Sequence, residues 1–156
     1  MSDSLTALED WASPLLQQLQ PQARTRLAKD LAKQLRLSQR QRITRQLNPD
    51  GTPYAMRRPR ELRGKQRRVK RKAVMFSKLR TPRFLKAKGD GTGITIGFTG
   101  RVARIARVHQ YGLKDRAERG AKDVKYARRE QLGLTEGELE VLRDGLLQHL
   151  TDGLDR

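Results

Sequence analysis

The chain has 156 residues, 35 Lys and Arg against 17 Asp and Glu, a formal net charge of +18 and a pI near 11.3. It has no Cys, and its two His, His109 and His149, are far apart, which excludes a disulfide scaffold, thiolate metal sites and the common zinc sites. An apolar fraction of 35% fits one domain with a modest core, no apolar run nears the ~18 residues of a membrane span, and Met-Ser-Asp-Ser is no secretory signal, so a soluble product made in a cytoplasm is expected.

Ser4 to Leu19 reads as an amphipathic helix, with Ser4 as N-cap and Leu5, Leu8, Ala12, Leu15, Leu16 and Leu19 on one face. Pro14 lacks a backbone donor, which predicts a kink there or a restart capped by Ser13. Trp11 lies at the edge of the stripe, either as core packing or as an anchor in a subunit interface. Pro21 is placed to open a second, long helix over Gln22 to Leu47, a segment without Gly or Pro. Ala23, Leu27, Leu31 and Leu35 line it. Past Leu37 the apolar stripe fails, with Ile43 and Leu47 on the other side, so this half is expected to bend or to contact something else. Asn48-Pro-Asp-Gly51 is a strong turn signal.

Thr52 to Arg83 forms a basic arm. Residues 63–72, Arg-Gly-Lys-Gln-Arg-Arg-Val-Lys-Arg-Lys, are too poor in apolar groups to pack, which predicts an exposed loop. Ala73 to Leu79 could be a short helix docking Met75, Phe76 and Leu79 before Thr81-Pro82. The whole excess of charge, +18, lies between Arg24 and Arg83. Such a segment repels itself and calls for an anion or an acidic surface.

Arg83 to Lys88 and Gly93 to Phe98 flank Gly89-Asp-Gly-Thr-Gly93, and Ile94, Ile96 and Phe98 alternate with Thr95 and Gly97. This is a β-hairpin signal. The glycines lack the Lys-Ser/Thr of a phosphate loop. Val102, Ile105, Ala106 and His109 then share a helical face over Arg101 to Tyr111, with Arg101, Arg104 and Arg107 on another flank and Gly112 as the stop. His109 reads as a hydrogen-bonded core or interface residue, because no carboxylate or nucleophile stands near it in the sequence. Lys114 to Lys122 reads as a mobile loop and Val124 to Arg128 as a short strand.

Thr135-Glu-Gly-Glu138 is a capping box opening a helix to about Leu150, with Leu139, Leu142, Leu146, Leu147 and Leu150 as its buried stripe. Glu136, Glu138 and Glu140 either offset the helix dipole or form an acidic patch for the basic arm of a neighbouring copy. There is no Gly-x-Ser-x-Gly, metal-ligand cluster or nucleotide loop. A non-enzymatic protein is expected, with no catalytic, cofactor or metal residues. A small basic protein binding nucleic acid without sequence preference is the alternative.

Several stretches are specific in combination. Leu8-Glu-Asp-Trp11 precedes Pro14-Leu-Leu16, and Leu37-Ser-Gln-Arg40 with Arg42-Ile43 precedes Gln46-Leu-Asn-Pro-Asp-Gly-Thr-Pro-Tyr-Ala-Met-Arg-Arg-Pro59. Then come Met75-Phe-Ser-Lys-Leu-Arg80, Gly100-Arg-Val-Ala-Arg-Ile-Ala-Arg-Val-His-Gln-Tyr-Gly-Leu113 and Tyr126-Ala-Arg-Arg-Glu-Gln-Leu-Gly-Leu134. From Leu5 to Leu150 the chain resembles the phage virion morphogenesis (tail completion) family of contractile-tailed phages. The resemblance implies a structural protein that finishes the tail and helps join it to the head. It also implies an α+β fold assembled as a ring, commonly six-fold.

The expected organisation is one domain, 1–156. It has a helical part at 4–47 with one long helix, the arm at 52–83, and an α+β part at 84–152 holding a small antiparallel hairpin, a short central helix and a C-terminal helix. Expected partner or DNA contacts are Arg57, Arg58, Arg60, Arg63, Lys65, Arg67, Arg68, Lys70, Arg71 and Lys72. Expected subunit-interface residues are Trp11, Ile43, Leu47, Arg104, Arg107, His109 and Tyr111. The expected partners are further copies in a ring, a hexamer, other tail and neck or connector proteins, and virion DNA in the lumen, with no membrane. The expected locations are the virion tail or neck and, during assembly, the host cytoplasm.

Overall fold

Residues 2–57, 74–116 and 119–154 are described by a computed structural model. In chain order they form α1 (Ser2–Gln18), α2 (Pro21–Arg45), β1 (Leu85–Gly89), β2 (Ile94–Phe98), α3 (Val102–Tyr111), β3 (Lys114–Arg116), β4 (Asp123–Lys125) and α4 (Glu136–Leu154). The fold is α+β, with two antiparallel two-stranded sheets, β1–β2 and β3–β4.

α2 is the spine. It opens with Pro21 at its first turn, as the sequence predicts, and packs against the β1–β2 hairpin and α4. The core gathers Leu8 and Ala12 of α1, Leu27, Leu31 and Leu35 of α2, and Leu139, Leu142 and Leu146 of α4. The hairpin adds Ile94 and Ile96 from its inner face. Its register pairs Leu85 with Phe98, Ala87 with Ile96 and Gly89 with Ile94, so Lys86 and Lys88 point away from α2. Gly89 is required by close approach: a Cβ there would lie 2.2 Å from the Ala28 carbonyl carbon and oxygen.

Several expectations need correction. α1 continues through Pro14 as one helix, so the restart capped by Ser13 does not occur. Leu8 and Ala12 on one side of the proline and Leu16 on the other are held on the same core. The buried face of α2 does not fail after Leu37. It continues as Gln39, Arg42 and Ile43, and Ile43 is 0% exposed within its own chain. Two polar side chains interrupt the apolar pattern but not the buried stripe. The helix ends at Gln46, which turns left-handed (φ 60°, ψ 39°), two residues before the Asn-Pro turn.

Residues 75–80 form turns in place of a short helix, because Phe76 adopts φ 63°, outside helical backbone. Leu79 is buried there as expected. Lys114–Arg116, expected as loop, pairs with Asp123–Lys125, tied by Arg116 Nε to Asp123 at 2.7 Å. The capping box forms as predicted: Thr135 N–H donates to Glu138 Oε2 at 2.8 Å, and Glu138 N–H to Thr135 Oγ1 at 3.2 Å.

Candidate functional site

Three of the quoted sequence stretches, 46–56, 101–113 and 126–134, meet at one place beyond the C-terminal end of α2. Gln46 begins it. Its side-chain amide donates to the carbonyl oxygens of Ile43 (2.6 Å) and Met75 (3.0 Å) and accepts from Met75 N–H (2.7 Å). One side chain thus serves both backbone groups of Met75, as a strand edge would. Asn48 is the next clamp. Its Oδ1 accepts from Glu130 N–H at 2.8 Å and its Nδ2 donates to Thr52 Oγ1 at 3.0 Å. Asp50 Oδ1 accepts from Thr52 N–H (2.9 Å) and Oγ1 (2.6 Å), bonds that hold its carboxyl below the usual range. Pro49 is buried against Gly133, where a Cβ would stand 2.5 Å from Pro49 Cγ.

Tyr54 is buried, and its hydroxyl donates to Glu130 O at 3.3 Å. Burial pushes its phenol up to about 12, with Arg42 opposing. Its ring starts an edge-to-face series: Tyr54 to Phe76 at 5.6 Å, Phe76 to His109 at 5.0 Å, His109 to Tyr126 at 5.0 Å. Arg129, only 4% exposed, closes the series with no carboxylate partner among the described residues. Its guanidinium donates to the carbonyls of Ala55 (2.7 Å), Met56 (2.9 Å) and Ala127 (3.3 Å), and stands 3.2 Å from His109 Nδ1. From α3, Gln110 Oε1 accepts from Gln131 N–H (2.8 Å) and Leu132 N–H (3.0 Å), and its Nε2 donates to Leu132 O (2.7 Å).

A buried ionic network continues this into α2 and α4. Arg42 Nη1 donates to both oxygens of Glu138 at 3.1 Å, and Nη2 donates to Gly133 O at 2.9 Å and to Gln39 Oε1. Gln39 Nε2 donates to Gly133 O (2.9 Å) and to Glu138 Oε1 (3.0 Å). Ser38 Oγ also donates to Glu138. Glu138 thus does two jobs, capping α4 and neutralising Arg42. Buried at 6% exposure, it forms no part of a surface patch for a neighbour's basic arm.

Of the expected site residues, Arg104, Arg107, His109 and Tyr111 share α3, while Trp11 lies on α1 and Ile43 on α2. Ile43 is enclosed by its own chain and offers no surface to a second copy. Leu47 is half-buried and bridges Pro53. His109 lies inside the aromatic series. Arg104, Arg107 and Tyr111 are exposed on α3, and Trp11 is 40% exposed on α1. Arg57 is exposed close to His109 and Arg129. Arg58, Arg60, Arg63, Lys65, Arg67, Arg68, Lys70, Arg71 and Lys72 lie outside the described residues. Of the residues expected in the arm at 52–83, Pro53, Tyr54, Met75 and Arg80 are bonded to the body. Sequence reasoning missed Gln39, Arg42, Gln46, Gln110 and Arg129. Their signal was position: all five sit inside the quoted stretches, and Gln39 and Arg42 also extend the stripe of Leu31 and Leu35.

The model of the phage virion morphogenesis family matches residues 3–151. The chain belongs to that family. It is 41% identical over 143 residues to Tail completion protein S of Escherichia phage P2, covering 91% of this chain and 94% of the relative. No solved structure matches it significantly. A role in phage tail virion morphogenesis follows. Among the described residues no helix is long and apolar enough to cross a membrane, and no group of three or more His, Cys, Asp or Glu could hold a metal ion.

Proposed function

We propose that this protein is a non-enzymatic structural subunit that completes the phage tail and joins it to the head, assembling as a ring, a hexamer, at the head-proximal end of the tail. The observation that carries this reading is the similarity to Tail completion protein S over nearly the full length of both chains. The chemistry of the hub agrees with it. Its Gln, Asn and Arg side chains are spent on backbone groups of their own chain, an arrangement that fixes shape. The basic residues of 57–72 are proposed to contact a tail, neck or connector partner, with the virion DNA in the lumen as a second contact held by charge alone.

The test is electron microscopy of the purified protein and of labelled virions. Rings, and label at the head-proximal end of the tail, are the expected result. A monomer at every concentration, with no label on particles, would overturn the reading. Charge reversal at Arg67, Arg68, Lys70, Arg71 and Lys72 should block joining and leave the fold intact, and normal particle yield would remove those residues from the contact.

A further inference from the structure

Two helices carry solvent-facing surfaces of opposite chemistry. On α3, Arg104, Arg107 and Tyr111 follow at i, i+3 and i+7 and share one face, within about 60° of arc at 100° per residue. All three are exposed, Tyr111 at 62%. An exposed Tyr beside Arg is the composition of an interface core. Arg104 is partly engaged by Asp115 at 2.8 Å, while Arg107 has no partner among the described residues.

On α4, Glu140, Asp144 and Leu147 follow at i, i+4 and i+7, again on one outward face. Leu147 is 45% exposed, and neither carboxylate has a partner among the described residues. Arg143, the one Lys or Arg of this helix, lies at the edge of the face. α1, which packs beside α4, has no Lys or Arg and exposes Glu9 and Asp10.

We infer that the outer face of α3 on one copy docks on the outer face of α4 on the next, Arg104 and Arg107 against Glu140 and Asp144, and Tyr111 against Leu147. The inference rests on the ring reading above and supplies its subunit contact. The two patterns match in length as well as sign. Each runs charge, charge, apolar over seven residues, about 10 Å of helix, so they come into register when the helices lie parallel. Opposite charges set the register, and the apolar pair is desolvated beside them. Because the faces are unlike, the contact is heterologous. It propagates from copy to copy, the arrangement that closes into a ring when the rotation between copies permits.

The test uses two variants of the full chain, Glu140→Arg/Asp144→Arg and Arg104→Glu/Arg107→Glu, with molar mass followed by light scattering and fold by circular dichroism. All four positions are exposed, so both variants should keep the wild-type spectrum. Each alone presents like charges at every contact and should weaken self-association about tenfold or more. Mixed in equal amounts they should assemble again, since each copy's altered face then meets its complement on the other. Wild-type assembly by either variant alone, or failure of the mixture to recover, overturns the α3–α4 contact and leaves the ring reading standing. A wild-type chain that never self-associates overturns both.

Discussion

Nη1 of Arg129 stands 3.2 Å from Nδ1 of His109, inside a cage made by the Phe76 and Tyr126 rings. A guanidinium can only donate, so Nδ1 accepts and His109 is neutral with its proton on Nε2. Burial first, then the charges of Arg129 and Arg57, lower His109 from its ordinary value to about 4. The unfolded chain therefore binds this proton more readily than the folded one. The contribution of His109 is complete above pH ~6.5 and falls away as the pH drops from there to about 4. Thermal denaturation of wild type and His109→Gln across pH 7 to 4 should show a difference that shrinks on acidification. A constant difference would place the acid sensitivity elsewhere.

Glu138 and Arg42 form a buried pair, both under a tenth exposed. Glu138→Ala leaves the Arg42 charge uncompensated and removes half of the capping box. A loss of about 3–5 kcal/mol in urea denaturation is expected. The double change Arg42→Met/Glu138→Leu should be less destabilising than Glu138→Ala, because it strands no charge. Additive losses would show that the two residues act independently.

Gly89→Ala should be among the most damaging single-atom additions. Its Cβ meets the backbone of Ala28 at 2.2 Å, and a helix backbone cannot step aside without parting α2 from the hairpin. The cost expected is about 1–3 kcal/mol or more. Gly97→Ala is the control, since nothing lies within 4 Å of its Cβ and the strand geometry suits alanine. Equal stabilities for the two variants would contradict the close approach.

Gln46→Ala keeps a left-handed helix end but strands both backbone groups of Met75. A loss of about 1–3 kcal/mol is expected. Hydrogen exchange should rise at Met75, whose amide Gln46 Oε1 accepts at 2.7 Å. Unchanged protection at Met75 would mean that the amide finds another acceptor.

Local features were legible in the sequence wherever one residue type has one physical use. Pro21 at a helix start, the Thr135–Glu138 box, the alternating Ile94-Thr-Ile96 and Gly112 after α3 each appear as read. Pattern reading failed where polar side chains are buried. Gln39 and Arg42 hid the continuity of the stripe that carries Ile43 into the core, because periodicity weighs apolar residues alone. Nothing in the residue type sets Arg129 apart from exposed Arg128 beside it, yet it binds the carbonyls of Ala55 and Met56. Phe76 could not be seen as a helix breaker, since its positive φ depends on Gln46 holding Met75 beside it. The family resemblance pointed to the right stretches, but only the fold shows that they are one contact.

The Tyr54–Phe76 ring contact has a mechanical consequence. Tyr54 and Phe76 lie on the two described segments that flank residues 58–73, and those two anchors stand 5.6 Å apart, ring to ring. Covalent geometry then limits any residue between Arg57 and Val74 to about 30 Å from the body, half the extended length of that span. A pull on that span would load both anchors at once. Gln46 ties Met75 to the end of α2, and the Phe76–His109 contact ties its neighbour to α3, so the load would reach both helices.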